Sequence, residues 1–100
     1  MAAKEIIWSL RAKQELMDIL DFYNERNGNT NYSFKLINEL ENWLDILSKS
    51  EFIGRLTSDK KTRVIVMKAY LIFYEVQEKH IEILSFWDNR QSESKKIINP

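Results

Sequence analysis

The stretch Arg63–Trp87, RVIVMKAYLIFYEVQEKHIEILSFW, decides the fold. It is dense in β-branched and aromatic residues and is broken only near Lys68-Ala69 and Glu78-Lys79. Side chains of that kind fit a pleated, half-buried surface, so three strands are predicted: Arg63–Met67, Tyr70–Gln77 and His80–Trp87. The breaks are short enough for tight turns, which makes the three an antiparallel meander. Alternation sorts the middle strand into two faces, with Tyr70, Ile72, Tyr74 and Val76 on one and Leu71, Phe73 and Glu75 on the other. Both faces are largely apolar. One has to cover the rest of the chain, and the other leaves a surface for a partner chain.

Toward the N-terminus, the run Lys4–Trp8 holds Ile6, Ile7 and Trp8 and reads as another strand, and Ser9 is placed to cap a helix. In that helix Ala12, Leu16, Ile19, Leu20 and Tyr23 form one apolar stripe, while Arg11, Lys13, Glu15, Asp18 and Asp21 occupy mostly other faces. Gly28 suits the left-handed residue that closes a helix, and a second helix follows to about Ser48 with a stripe of Ile37, Leu40, Leu44 and Leu47 widened by Leu36 and Trp43. The short connection makes the two an antiparallel hairpin. The expected fold is α+β, in the order β-α-α-β-β-β: an N-terminal strand and a two-helix hairpin packed on a small curved antiparallel sheet. One domain is expected over residues 1–100, ordered apart from its last few residues.

A chain of 100 residues supports one core and no second domain. Its longest unbroken apolar run, Ala69–Tyr74, is far short of the ~20 residues of a spanning helix, and the N-terminus lacks the order of a signal peptide. A cytoplasmic location without membrane contact is expected. With no Cys and one His, thiolate sites, cysteine nucleophiles and multi-histidine metal sites are excluded, and no metal or cofactor is expected. The 15 basic and 15 acidic side chains balance overall but not locally. Residues 49–68 carry six basic against two acidic side chains, whereas residues 1–48 carry five against eight. The basic stretch suits a local anionic partner, or an ordinary solubilised loop and strand edge.

Few residues suggest chemistry. His80 has no Ser-Asp partners legible in the sequence and reads as an exposed turn residue. The pairs Asp18/Asp21 and Glu39/Glu41 read as solvated helix charges, since an acid-base pair requires a cleft. Trp8, Trp43 and Trp87 read as core or interface side chains, with Trp87 also open to stacking on a ligand. The set that could act on phosphate is basic and aromatic: Arg55, Lys61, Arg63, Lys68 and Arg90 with Tyr70 and Tyr74. A metal-free nuclease can stabilise its transition state with Lys or Arg and move protons with Tyr.

From about Ile6 to Arg90 the chain resembles the RelE/ParE superfamily of bacterial type II toxin-antitoxin toxins, and its ParE branch most. The likeness is carried by the strand ending near Trp8, by Ala12, Ile19 and Tyr23 on the first helix, by Gly54-Arg55 and Arg63, by Tyr70-x-Ile72-x-Tyr74-x-Val76, by Ile81-x-Ile83-Leu84 and by Arg90. The resemblance implies the toxin of a plasmid-stabilisation system, which inhibits growth until a cognate antitoxin wraps an extended or helical segment across it. ParE-like members are described as poisoning DNA gyrase, and RelE-like members as cleaving mRNA on the ribosome.

Two departures bear on that choice. Where ParE-like chains commonly end the last strand with a His-Gly-Arg-Arg run, this chain has Asp88-Asn89-Arg90-Gln91, so only Arg90 carries over. In the RelE branch an arginine follows the tyrosine matching Tyr70, and lysines stand on the preceding strand; here those places hold Leu71, Thr62 and Val64. The expectation is therefore a non-enzymatic toxin directed at gyrase, with Arg55, Arg63 and Arg90 contacting the target through bidentate guanidinium bonds and Leu71, Phe73 and Trp87 contacting the antitoxin. Replacing each arginine by Ala should relieve toxicity without unfolding the protein. The alternatives are a ribosome-dependent ribonuclease using Lys61, Arg63, Lys68, Tyr70 and Arg90, and an inactive relative that only binds a partner. A homodimer is a further arrangement the pattern allows.

Overall fold

The computed structural model describes residues 3–90. The last few residues, for which no order was expected, lie outside that range. The elements are β1 Glu5–Trp8, α1 Leu10–Asn27, α2 Asn31–Lys49, β2 Arg55–Leu56, β3 Thr62–Met67, β4 Tyr70–Val76 and β5 His80–Asp88. The strands form one sheet in the order β1-β5-β4-β3-β2, and α1 and α2 pack on one of its faces. Among the described residues no helix is long and apolar enough to cross a membrane.

Local chemistry sets the helix ends. Ser9 is extended, and its Oγ accepts from the Ala12 N–H at 3.0 Å while donating to the Leu84 carbonyl at 3.2 Å. One side chain thus caps α1, a contribution of about 1 kcal/mol, and pins its start to β5. Gly28 closes α1 at φ 71°, with its N–H donating to the Asn24 carbonyl at 2.9 Å. Ala12, Ile19, Leu36, Leu40 and Leu47 meet Ile65, Met67, Ile72, Ile81, Ile83 and Phe86 in the core. The buried stripe of α2 is centred on Leu36 rather than Ile37, which is only half-buried.

The sheet is mixed rather than wholly antiparallel. β1 runs parallel to β5, with Ile6 opposite Ile81 and Trp8 opposite Ile83. Alternation along β1 fixes which side chains face inward but not which neighbour the strand chooses, so the pattern could not specify this pairing. β2 is a two-residue strand inside the segment read as polar, too short to show a period. His80 opens β5, half-buried opposite Glu5, and is not the exposed turn residue expected.

A β-bulge in β5 decides which of its last side chains face the helices. Tyr74 pairs with Ile83 and Phe73 with Ser85, so Leu84 is the extra residue and the facing of β5 switches there. Ile81 and Ile83 before it, and Phe86 and Asp88 after it, therefore share the helix-covered face. Ser85 and Trp87 are turned to the other side. Beyond the end of β1 the edge of β5 is closed by Glu15, whose carboxylate accepts from the Phe86 N–H at 3.0 Å and the Ser85 hydroxyl at 2.7 Å. Glu15 is thus an edge-protecting residue.

Candidate functional site

The inner face of β4 carries a tyrosine near each end, and each meets an arginine. At the β3–β4 turn, Tyr70 is 2% exposed and its hydroxyl lies 2.6 Å from that of Tyr32. Arg90 reaches over this pair. Its Nη2 lies 2.7 Å from the Tyr70 hydroxyl, 2.9 Å from that of Tyr23 and 3.2 Å from that of Tyr32, and its Nε donates to Asp88 Oδ1 at 3.2 Å. The guanidinium also lies over the rings of Tyr23 and Tyr70, 5.4 and 5.2 Å from their centroids. The Asp88 side chain is 1% exposed, against 48% for Arg90. Asp88 therefore needs this partner, because an unpaired buried carboxylate is strongly disfavoured.

Burial pushes the Tyr70 hydroxyl far above its ordinary pKa, helped by its bond to Tyr32. Tyr23 is also raised, first by burial and then by the Asp88 charge. The bond to Asp88 raises Arg90 in turn. These phenols stay protonated and hold the arginine; they are not poised to accept a proton near neutral pH. Beside the cluster, Lys35, Asn38, Asn42 and Lys68 help line a cavity of about 490 Å³ whose mouth is bordered by Arg90. Lys68 is turned to Glu39 at 3.3 Å.

At the opposite end Tyr74 is fully buried; its hydroxyl accepts from the Gly54 N–H at 2.8 Å and donates to the Glu51 carbonyl at 2.9 Å. Arg63 sits on the Tyr74 row of the sheet and donates from Nη1 to the Gly54 carbonyl at 2.8 Å, while its guanidinium lies 4.9 Å from the centre of the exposed Phe52 ring. Burial raises the Tyr74 pKa, against the opposing pull of the Gly54 N–H and the Arg63 charge. Gly54 has no room for a side chain: a Cβ there would stand 2.8 Å from Tyr74 Cε1 and Oη and 2.9 Å from the Val64 carbonyl oxygen.

The three arginines expected to contact a target do not form one patch. Arg63 and Arg90 lie at opposite ends of β4, separated by the four residue steps from Tyr70 to Tyr74, or about 13 Å at the rise of a strand. Both are bound into the fold, so Ala in either place removes hydrogen bonds within the chain as well as any contact with a target. Arg55, exposed on β2, makes no side-chain hydrogen bond or ion pair among the described residues. The ribonuclease set is divided in the same way, with Tyr70, Lys68 and Arg90 at one end and Lys61 and Arg63 at the other. Among the described residues no group of His, Asp and Glu is arranged to hold a metal ion.

The three residues expected at a partner contact do come together. Leu71 is directly opposite Trp87, and Phe73 is the next outward residue of β4. Val66, 56% exposed, extends the Leu71 row onto β3. What the sequence reading missed is Asp88 as a buried carboxylate and Tyr32 as a partner of Tyr70. Uninterrupted alternation from Ile81 would have turned Asp88 outward, and only the bulge brings it in.

The family model for the ParE toxin of type II toxin-antitoxin systems (parDE) matches residues 6–93. The chain belongs to the ParE toxin family. Among solved structures it is similar to a chain of the chromosomal ParDE toxin-antitoxin system from P. aeruginosa, with a TM-score of 0.72 and 19% identity, covering 86% of this chain and 96% of that one. At that identity the likeness speaks for the fold: two helices on a sheet, with both tyrosine-arginine ends built from residues within the span of the family match. No match is found among curated proteins. As a member of the ParE family the chain is the toxin component of a type II system, and such a system implies a cognate antitoxin.

Proposed function

We propose that this ParE-family toxin stops growth by binding DNA gyrase, not by cutting RNA, and that its antitoxin neutralises it by covering the outer face of the sheet. The observation that carries the non-catalytic reading is the dispersal and engagement of the groups a metal-free ribonuclease would use. Tyr70 and Arg90 are held with Asp88, Lys68 is paired with Glu39, and Arg63 is engaged with the Gly54 carbonyl at the other end of the sheet. Both β4 tyrosines are buried with raised pKa values, so neither serves as a base near neutral pH. Membership of the ParE family supports gyrase as the target.

Arg55, Arg63 and Arg90 remain the proposed target contacts, and Arg55 is the one whose guanidinium is uncommitted among the described residues. It lies on the outer-face row of Val64 and Phe73, beside Leu71 and Trp87, so an antitoxin seated on those residues would also screen it. Neutralisation would then be by overlap. The test is pulse-labelling of DNA and protein synthesis within minutes of inducing the chain without its antitoxin, paired with supercoiling by purified gyrase. DNA synthesis should fall first and supercoiling should be inhibited. Earlier collapse of protein synthesis, with cleaved transcripts on ribosomes, would mean the ribonuclease reading is right; no effect on either would leave a binding module.

A further inference from the structure

The outer face of the sheet is divided into an apolar and an acidic half. One cross-strand row is Val66, Leu71 and Trp87, and the next is Arg55, Val64, Phe73 and Ser85. The third row is Thr62, Glu75, Glu82 and Ile7, in which Glu75 and Glu82 stand directly opposite each other on neighbouring strands. Both glutamates are half-buried. Neither forms an ion pair among the described residues; the one side-chain bond there is from Gln77 Nε2 to Glu75 Oε1 at 2.9 Å. Like charges directly opposite in a sheet repel, and partial burial reduces the screening that would relieve them. Among the described residues this pair has no counter-charge, and it stands beside an apolar patch whose Val66 is 56% exposed.

We propose that the outer face takes one amphipathic helix of the antitoxin, with apolar side chains over Val66, Leu71, Phe73 and Trp87 and a pair of Lys or Arg side chains closing on Glu75 and Glu82. The proposal rests on the reading of this face as the antitoxin's seat and adds the chemistry of the segment. A helix suits a sheet face because its backbone groups are bonded internally, so it can cover apolar surface without burying unpaired N–H and C=O groups. The spacing is set by the strand. The Leu71 and Glu75 rows lie about 13 Å apart along β4, and eight residues of helix at 1.5 Å each span about 12 Å of that, leaving about 1 Å to the reach of a Lys or Arg side chain. The segment should therefore show apolar residues four apart and, on the same face, a basic residue about eight positions from the far one. A second copy of this chain fits less well, because the outer-face rows it would bring hold one cation, Arg55, against two glutamates. The chain's own Lys95 and Lys96 are the other basic source to be tested.

The decisive variant is Glu75→Gln/Glu82→Gln in the full chain, compared with wild type alone and with the antitoxin encoded beside its gene. Removing the repulsion should raise the melting temperature of the free chain by a few degrees. The same change should weaken antitoxin binding by roughly tenfold or more and flatten its dependence on salt. Opposite signs on stability and affinity are what a merely structural pair would not give. Glu78→Gln, on the exposed β4–β5 turn, should change neither. If the double variant binds as tightly as wild type, this inference is overturned and the antitoxin reading stands. If wild type itself does not bind, that reading fails and takes the inference with it. If the free double variant melts lower, or wild type is a dimer that the double variant dissociates, the glutamates are already paired within this chain or by a second copy, and the helix assignment is wrong.

Discussion

The two ends of β4 use the same pair of residue types to opposite purposes. At the Tyr70 end an arginine neutralises a buried carboxylate through a ring of phenols contributed by α1, α2 and β4, and the bonds run between side chains. At the Tyr74 end the tyrosine and arginine bond backbone groups of Glu51 and Gly54, fastening an irregular segment to the sheet. A side-chain ring can be loosened member by member, because the remaining hydroxyls and water can repair it. A backbone tie fails when its one close approach is lost. The Tyr74 end should therefore be the more brittle to substitution and the Tyr70 end the more sensitive to charge and pH.

The largest expected effect is from Gly54→Ala. The added methyl would meet the Tyr74 ring and the Val64 carbonyl inside contact distance, and neither is a flexible chain end. Overpacking of this kind should cost about 3 kcal/mol, read as a lower urea midpoint with an unchanged slope. Tyr74→Phe, which leaves the buried Gly54 N–H without its acceptor, should cost about 2 kcal/mol. If Gly54→Ala is tolerated within ~0.5 kcal/mol, the segment is not fastened there and the contrast between the ends disappears.

Next comes Arg90→Ala, at about 2 kcal/mol, because among the described residues Asp88 then keeps only the residue-90 backbone N–H and the Tyr23 hydroxyl at 3.4 Å as donors. Asp88→Asn/Arg90→Ala should recover part of that loss, since the stranded charge goes with it. A double-mutant cycle over the two positions measures the coupling, and additive effects would show that Arg90 does not serve Asp88. Toxicity of either variant has to be judged against its melting temperature, whereas Arg55→Ala should relieve toxicity with no change in stability.

The contrast sharpens with pH. Tyr23, Tyr70 and Tyr74 all have folded pKa values above the ordinary tyrosine value of 10.0, so their contribution is complete below pH 10 and is lost as pH rises through the folded values. The urea midpoint should fall above pH 10, and Tyr70→Phe should remove more of that fall than Tyr74→Phe, because burial and the bond to Tyr32 give Tyr70 the greater shift. Equal slopes in the two variants would mean that the two ends titrate alike.

How much of this was legible depends on where periodicity holds. The strands from Arg63 to Trp87, the Ser9 cap and the Gly28 terminus are local signals, and each is found at its place. The outward facing of Leu71 and Phe73 was readable for the same reason, since β4 alternates without interruption, whereas Trp87 is turned outward beside them only by the bulge in β5. The inner clusters were not. Asp88 is turned inward by a bulge that no local residue announces, Tyr32 reaches Tyr70 across 38 positions of chain, and Gly54 meets Tyr74 across 20. Three arginines looked interchangeable in sequence because nothing local distinguishes a guanidinium held among partners from one left free.

The smallest expected effect lies outside both ends, in the loop between β2 and β3. Asp59 Oδ1 accepts from the Lys61 and Thr62 N–H groups at 2.7 Å each, and Oδ2 from the Thr62 hydroxyl at 2.8 Å, while Lys60 adopts the left-handed φ of 62°. Those backbone donors hold the Asp59 carboxyl well below the usual carboxylate range, with the Thr62 N–H contributing most. A depressed folded pKa means that this contribution is present above the ordinary value near 3.8 and is lost as pH falls through the folded one. Full exposure keeps the effect local, so Asp59→Ala should speed amide exchange at Lys61 and Thr62 while the urea midpoint stays where it was. The pocket of about 380 Å³ lined by Lys60, Lys61 and Arg63 borders this loop, and the turn that Asp59 ties is what presents the two lysines beside Arg63. Loss of toxicity in Asp59→Ala, with Tyr74 and Gly54 intact, would therefore place a target contact at the Arg63 end, and unchanged toxicity would leave Arg55 and Arg90 to carry it.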